Sequence, residues 1–245
     1  MPSLNEEENI AKAIENTLQA FDDYEISGEV VVINDGSTDG TEDVVKKILQ
    51  NEARVQIVNH DHAQGVGASF WDGVDHSNGK IVSWLPGDNE GDPWEIVRYI
   101  KLLQNVDIVI PFVFNKEVRS LPRNMLSATF RFIINATFRV NFNYTNGTVI
   151  FRKSVLQELD YRSTSFFFLT DILVRLVNKG YLFAEVPIRL GVRGAGVSKA
   201  VSFPSLMQVI RGYIHLLKDC YYLKKFKNKN KEFHSSSATA QRYEK

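Results

Sequence analysis

Asp88 and Glu90 stand two residues apart in the turn Pro86-Gly87-Asp88-Asn89-Glu90, directly after the apolar run Ile81-Val82-Ser83-Trp84-Leu85. In α/β proteins ligands collect at the carboxyl ends of strands. Carboxylates placed there hold hard divalent cations, and Mg²⁺ or Mn²⁺ commonly bridges one or two of them to substrate phosphates. The pair therefore points to a divalent-cation site facing a diphosphate, with Asp88 and Glu90 as ligands. Asp92 is a weaker third carboxylate, placed to cap a helix that opens at Pro93.

Other residues offer compatible chemistry. Asp35 ends the apolar run Val30-Val31-Val32-Ile33, where a carboxylate can accept from a base N–H of uracil or guanine. Asp39 either caps the next helix or serves as a ligand. Asn5 and Glu6 either orient a ribose and neighbouring loops or cap a helix. The turn Gly65-Val66-Gly67 lets backbone approach a phosphate. Asp171, at the start of an apolar helix, either has a raised pKa and acts as general base or complements the helix N-terminus. Arg193, Ser198 and Lys199 form a cationic, hydroxyl-bearing loop suited to phosphate, and Arg119, Arg123 and Arg131 form a second basic stretch.

These groups need elements to position them. Ile10, Ala13, Ile14, Thr17, Leu18 and Phe21 recur at helical spacing, and Glu29–Asn34 is a short apolar run typical of a buried parallel strand. Val44, Val45, Ile48 and Leu49 face a second helix. Arg54–Val58, Lys80–Leu85 and Asp107–Ile110 are predicted strands, and Ala68–Asp75 and Pro93–Leu103 predicted helices. After Pro111 the spacing predicts a long helix over Leu121–Phe138, a strand over Thr148–Phe151, a helix over Leu169–Lys179, a strand over Leu182–Val186 and a last helix over Phe203–Leu223. Strands alternating with helices imply a mostly parallel sheet covered on both faces. No strand precedes Met1-Pro2-Ser3-Leu4-Asn5, so the first strand is expected to be missing or truncated.

Bulk properties narrow the class. The 245 residues are 44% hydrophobic and 24% charged, with a formal net charge of +0. Such a chain buries a real core and has no global field for nucleic acid. Cys220 is the single cysteine, consistent with a reducing compartment. No segment reaches the roughly 20 apolar residues of a spanning helix. The last helix is apolar and aromatic, and Lys224, Lys225, Lys227, Lys229 and Lys231 follow it. That combination fits peripheral contact with an anionic membrane surface. The expected organisation is one domain over residues 1–223, divided near 110, and a disordered basic tail over 224–245.

Four ordered motifs resemble the family-2 glycosyltransferases. Pro2-Ser3-Leu4-Asn5-Glu6-Glu7-Glu8-Asn9-Ile10 is similar to their P-x-x-N-E-E-x-N-I opening, and Val31–Thr41 to their V-V-D-D-G-S-T-D-G-T element. Gly65-Val66-Gly67-Ala68 with Gly73 and Gly79-Lys80 resembles their glycine-spaced run. Arg193-Gly194-Ala195-Gly196-Val197-Ser198-Lys199 is similar to the R-x-x-G-x-S-K loop of the polyprenyl-phosphate sugar transferases. The resemblance implies a GT-A fold and inverting transfer from a GDP- or UDP-linked sugar to a polyprenyl or dolichyl phosphate on the cytoplasmic face of a membrane. It also implies Pro2, Asn5, Glu6, Asp35, Gly67 and Asp88 at the nucleotide sugar, Asp88 and Asp171 in catalysis, and Arg123, Arg193, Ser198 and Lys199 at the acceptor phosphate. The metal element departs from the pattern: Pro86 replaces the first aspartate of D-x-D, and Glu90 restores one carboxylate. Alternatives are a transferase acting on a lipid-linked glycan and a non-catalytic nucleotide-sugar-binding protein.

Overall fold

The computed structural model describes residues 1–189, 203–223 and 232–243. Strand β1 (Pro2–Ser3) is followed by α1 (Ile10–Asp23), β2 (Val30–Asn34), α2 (Thr41–Leu49), β3 (Val55–Asn59), α3 (Val66–His76) and β4 (Ile81–Ser83). Then come α4 (Trp94–Val97), a 3₁₀ turn (Ile100–Gln104), β5 (Ile108–Val113), α5 (Leu121–Phe138), β6 (Ile150–Arg152) and α6 (Lys153–Gln157). The chain closes with α7 (Phe168–Lys179), β7 (Phe183–Ile188), α8 (Phe203–Leu217) and α9 (Ala238–Tyr243).

Two sheets carry the strands, one in the order β1-β2-β3 and all parallel, the other in the order β4-β6-β5-β7. In the second, β6 is antiparallel to both neighbours while β5 and β7 are parallel. The sheets meet where the Gly87 N–H donates to the Pro2 carbonyl at 3.0 Å. Helices cover both faces of β2, all five of whose residues are buried. Helix α1 buries Ile10, Ala13, Ile14 and Leu18 against β2, and the larger core joins α3, α5 and α7 over β5 and β6. Phe70 contacts Phe151 at 6.2 Å and Phe168 at 5.1 Å between ring centroids, a tilted aromatic cluster at the centre of that core.

The first strand, expected to be missing or truncated, is the two residues Pro2–Ser3, paired with Ile33 and Asn34, and the Met1 amino group donates to the Val31 carbonyl at 2.6 Å. Two sequence expectations change. Strand β5 runs through Pro111 to Val113. The missing N–H of Pro111 costs no ladder bond, because it falls on the β6 side, where pairing ends at Val109. Finally, residues 232–243 of the expected disordered tail are ordered. Asp107, fully buried at the start of β5, accepts from Ala238 N at 2.7 Å, from Thr239 N at 3.0 Å and from the Thr239 hydroxyl. Phe233 packs on Tyr181 and Tyr243.

Candidate active site

The loops that follow β1, β2, β3 and β4 converge at the carboxyl edge of the sheets. The first two are fastened together. Asn5, in the left-handed region at φ 56°, accepts from Thr38 N at 2.8 Å and donates its own N–H to Ser37. Glu6 N donates to Thr41, Glu7 N to Asp39, and Glu7 accepts from Gly40 N. Asp39 also accepts from Thr41 N at 3.0 Å. Desolvation opposes ionisation there, but the hydrogen bonds from Thr41 and neighbouring N–H groups outweigh it and hold the Asp39 carboxyl below its usual value. Asn5, Glu6 and Asp39 thus brace the loops, and Asp39 caps α2.

Asp35 is 5% exposed and pins the third loop. One carboxylate oxygen accepts from Gln64 N at 2.8 Å and bonds His60 Nδ1 at 2.7 Å; the other accepts from Gly65 N at 2.9 Å. A base N–H would have to use the remaining lone pair beside the Gly65 bond. His60 reaches on to Asp72 at 2.9 Å. Sequence reasoning missed this bridge; its only signal is a histidine directly after a strand.

Gly67 is corrected. A Cβ there would lie 2.5 Å from the Thr164 carbonyl carbon and 2.8 Å from the Ser163 oxygen. The close backbone approach that requires glycine is to the chain's own 163–164 segment, which also accepts from Trp71 Nε1 at 3.2 Å, rather than to a phosphate.

The turn after β4 docks on the first sheet through Gly87, whose Cβ would sit 2.4 Å from the Ser3 hydroxyl. Asn89 adopts φ 55° and accepts from Asn16 at 3.0 Å. This reversal leaves Asp88 partly exposed and Glu90 exposed. One Asp88 oxygen accepts from Glu90 N at 3.1 Å, and the other accepts nothing among the described residues. A turn offering two carboxylates fits Mg²⁺ or Mn²⁺, which keeps waters and phosphate oxygens in its shell. Among the described residues there is no group of three His, Cys, Asp or Glu that could hold an ion.

A cavity of about 640 Å³ opens beside this turn, lined by Asn16, Glu90, Trp94, Asn115, Val118 and Arg189. The segment carrying Asn115 and Val118 turns its other residues, Lys116 and Arg119, to a second cavity of about 230 Å³ that Arg131 also lines. Arg119 lies 5.5 Å over the Tyr144 ring, and Arg131 donates to the Asn143 carbonyl at 3.2 Å. Arg123 is exposed on the first turn of α5 and lines neither; among the described residues Arg189 is the cation at the first cavity, and Lys116, Arg119 and Arg131 are those at the second. Arg193, Ser198 and Lys199 lie outside the described residues.

Asp171 is also corrected. It is 1% exposed, and both its oxygens accept from Arg175, at 2.6 and 3.0 Å; Arg175 in turn pairs with buried Asp219 at 2.9 Å. Burial pushes the Asp171 carboxyl above the usual carboxylate range while Arg175 pulls it down. A carboxylate held by a bidentate guanidinium inside α7 does not reach a substrate hydroxyl; it anchors α7 to the end of α8.

The sequence pattern of the family described as "Glycosyl transferase family 2" matches residues 1–160. The chain is 27% identical over 215 residues to polyprenol monophosphomannose synthase of Mycolicibacterium smegmatis, covering 81% of this chain and 78% of that protein. It is 23% identical over 203 residues to dodecaprenyl-phosphate galacturonate synthase of Rhizobium johnstonii, covering 81% of this chain but 60% of that protein. Among solved structures, M. tuberculosis glucosyl-3-phosphoglycerate synthase, in complex with Mn²⁺, UDP and glucosyl-3-phosphoglycerate, superposes with a TM-score of 0.65 at 19% identity. That match covers 88% of this chain and 77% of the synthase, and it establishes a shared fold.

Proposed function

Because the chain belongs to glycosyl transferase family 2, we propose that it moves a sugar from a nucleotide diphosphate to a polyprenyl phosphate at a membrane surface. The observation that carries this reading is the segment from Asn115 to Arg119. One side of it borders the cavity beside the Asp88–Glu90 turn, and the other borders the cleft of Lys116, Arg119 and Arg131. A phosphate held by those cations stands next to the place where a diphosphate would leave.

In this reading a phosphate oxygen of the acceptor attacks the anomeric carbon from the face opposite the diphosphate. A new carbon–oxygen bond forms as the bond to the diphosphate breaks, and the electron pair departs with the nucleoside diphosphate. Asp88 and Glu90 would hold the divalent cation, which supplies charge neutralisation on the departing diphosphate. A phosphate monoester, with a second pKa near ~6, is already largely anionic at neutral pH and needs cationic positioning rather than a base. The burial of Asp171 against Arg175 agrees with that, since a hydroxyl acceptor would call for a free carboxylate. Arg193, Ser198 and Lys199 are assigned to the acceptor phosphate on their motif alone.

Membrane contact is part of the proposal. No helix among the described residues is long and apolar enough to cross a bilayer. Helix α5 instead presents Leu121, Met125 and Phe132 at 72%, 62% and 72% exposure, and α8 presents Leu206, Ile210 and Ile214. Apolar faces flanked by Arg123, Arg131 and Arg211 suit the interface of an anionic, cytoplasmic leaflet.

The test is transfer of radiolabel from GDP- and UDP-sugars to polyprenyl phosphate in vesicles with Mn²⁺. Label is expected in the lipid fraction. Label found only in soluble sugars would sink the proposal.

A further inference from the structure

His60, the first residue after β3, takes no part in the transfer proposed above. Its ring lies between two carboxylates. Nδ1 stands 2.7 Å from an oxygen of Asp35, at the end of β2, and Nε2 stands 2.9 Å from an oxygen of Asp72, in α3. The ring is 6% exposed, against 7% for the Asp35 side chain and 38% for that of Asp72, so water is largely kept from the inner contact. The His60 N–H donates to the Asn34 carbonyl at 2.9 Å, which fixes the residue beside the end of β2.

Each contact needs a proton. An ionised carboxylate only accepts, and a neutral imidazole carries one N–H and one bare lone pair. The bridge therefore stands when the chain Asp35–His60–Asp72 holds two protons, one per contact. With a single proton, a bare ring nitrogen faces a carboxylate oxygen with little water between them, and the two lone pairs repel. A proton left on Nδ1 opens the Asp72 contact; a proton left on Nε2 opens the Asp35 contact. A neutral ring exchanges between these tautomers, so it holds Asp35 only part of the time.

The inner contact matters because of what else Asp35 does. One of its oxygens accepts from His60 and Gln64 N, the other from Gly65 N. Together these bonds set the plane of the carboxylate and leave the lone pair that faces a nucleotide base. His60 is the side-chain partner of Asp35 among the described residues, and it ties that carboxylate to α3. Other charged groups nearby are engaged elsewhere or exposed. Asp61 and His62 of the same loop are exposed, and Glu42 of α2 pairs with Asn59 and Lys46. Asp75 and His76 of α3 turn to Arg162 and to the Asp72 carbonyl.

We propose that His60 is a positioning residue with a removable proton: with both contacts protonated it fixes Asp35 for the base of the nucleotide sugar, and loss of one proton releases Asp35 and weakens nucleotide binding. The proposal rests on the transferase reading, which puts the base at Asp35. Linkage is reciprocal, so bound nucleotide in turn favours the doubly protonated ring.

Calorimetry of UDP and of GDP, each with Mg²⁺, tests this from about pH 5.5 to about pH 8, the range in which histidine changes charge. Asp72→Asn is the deciding variant. Its amide accepts from a protonated Nε2 and donates to a bare one, so the bridge stands whether the ring holds one proton or two. Relative to that variant, the unmodified chain should lose at least about tenfold in nucleotide affinity across the range. Groups common to both chains, the nucleotide phosphates and the Met1 amino group among them, cancel in this ratio. The ring ¹⁵N signals of His60, assigned by their absence in His60→Gln, read the proton on the unmodified chain. At the midpoint of the affinity change, added nucleotide should move them toward the doubly protonated form. An affinity ratio constant with pH, or ring signals that nucleotide leaves unmoved, overturns the proposal while the transferase reading stands. Failure of both nucleotides to bind at every pH overturns the two together.

Discussion

Asp88 carries the functional reading, and its surroundings make that reading testable. Its free oxygen and the exposed Glu90 carboxylate are the two anionic groups the β4 turn offers. Asp88→Asn should lower turnover by at least about 100-fold, the order seen when one electrostatic contact to a departing charge is removed. It should also abolish the Mn²⁺ dependence of nucleotide binding, measured by calorimetry. Glu90→Gln should cost less, because Asp88 and the diphosphate still hold the cation. Asp171 separates structure from chemistry. Asp171→Asn removes one of the two buried carboxylates paired with Arg175 among the described residues, and breaking a buried pair costs about 3–5 kcal/mol. Urea unfolding should show that loss, whereas kcat per folded molecule should stay near that of the unmodified chain. A large fall in kcat with unchanged stability would restore Asp171 as a base.

At the scale of elements, α9 and α5 make separate demands. Asp107 immediately precedes β5 and Asn115 follows its other end, so the α9 clasp lies at the opposite edge of the sheet from the site. Ending the chain at residue 231 leaves Asp107 with Arg152 as its remaining side-chain partner among the described residues, at 3.1 Å. Loss of its capping bonds should destabilise the protein by about 1–3 kcal/mol per unsatisfied group, with KM for the nucleotide sugar unchanged. The clasp was illegible in the sequence because the 224–245 stretch reads as polar and lysine-rich; its stability comes from one carboxylate about 130 residues upstream. Helix α5 was legible to the residue, as Leu121–Phe138, because Ser120 and Pro122 mark its start and no helix breaker interrupts the run to Phe138. Its outward apolar face was not, since both faces are apolar and only packing shows which one is covered. Replacing Leu121, Met125 and Phe132 with serine should release the protein from anionic vesicles in flotation assays and leave transfer to detergent-dispersed acceptor intact.

For the whole molecule, one titratable group at the joint between the two sheets contributes a testable response to pH. Burial between β2 and β4 lowers the Met1 amino group from its usual value of 8.0 to about 5. The unfolded chain therefore holds more protons than the folded one between pH 5 and 8, and stability rises with pH across that window. The Tm should climb from pH 5 to pH 8, and acetylation of the amino terminus should flatten the slope. A slope unchanged by acetylation would show that the amino group does not contribute to it.

Local chemistry wrote much of this protein into its sequence. The apolar runs of β2 and β3, the period of α1 and α7, and the four ordered motifs from Pro2 to Lys199 declare an α/β glycosyltransferase, because each depends on residues near one another in the chain. Tertiary structure decided what distant partners do to single groups. Gly67 meets Thr164, Asp171 is enclosed with Arg175 and Asp219, and Asp35 is spent largely on His60 and the 64–65 backbone. The same residue types would suit a phosphate, a base or an acceptor if left open. Whether they are open depends on segments that arrive from elsewhere in the chain, and no local pattern encodes that arrival.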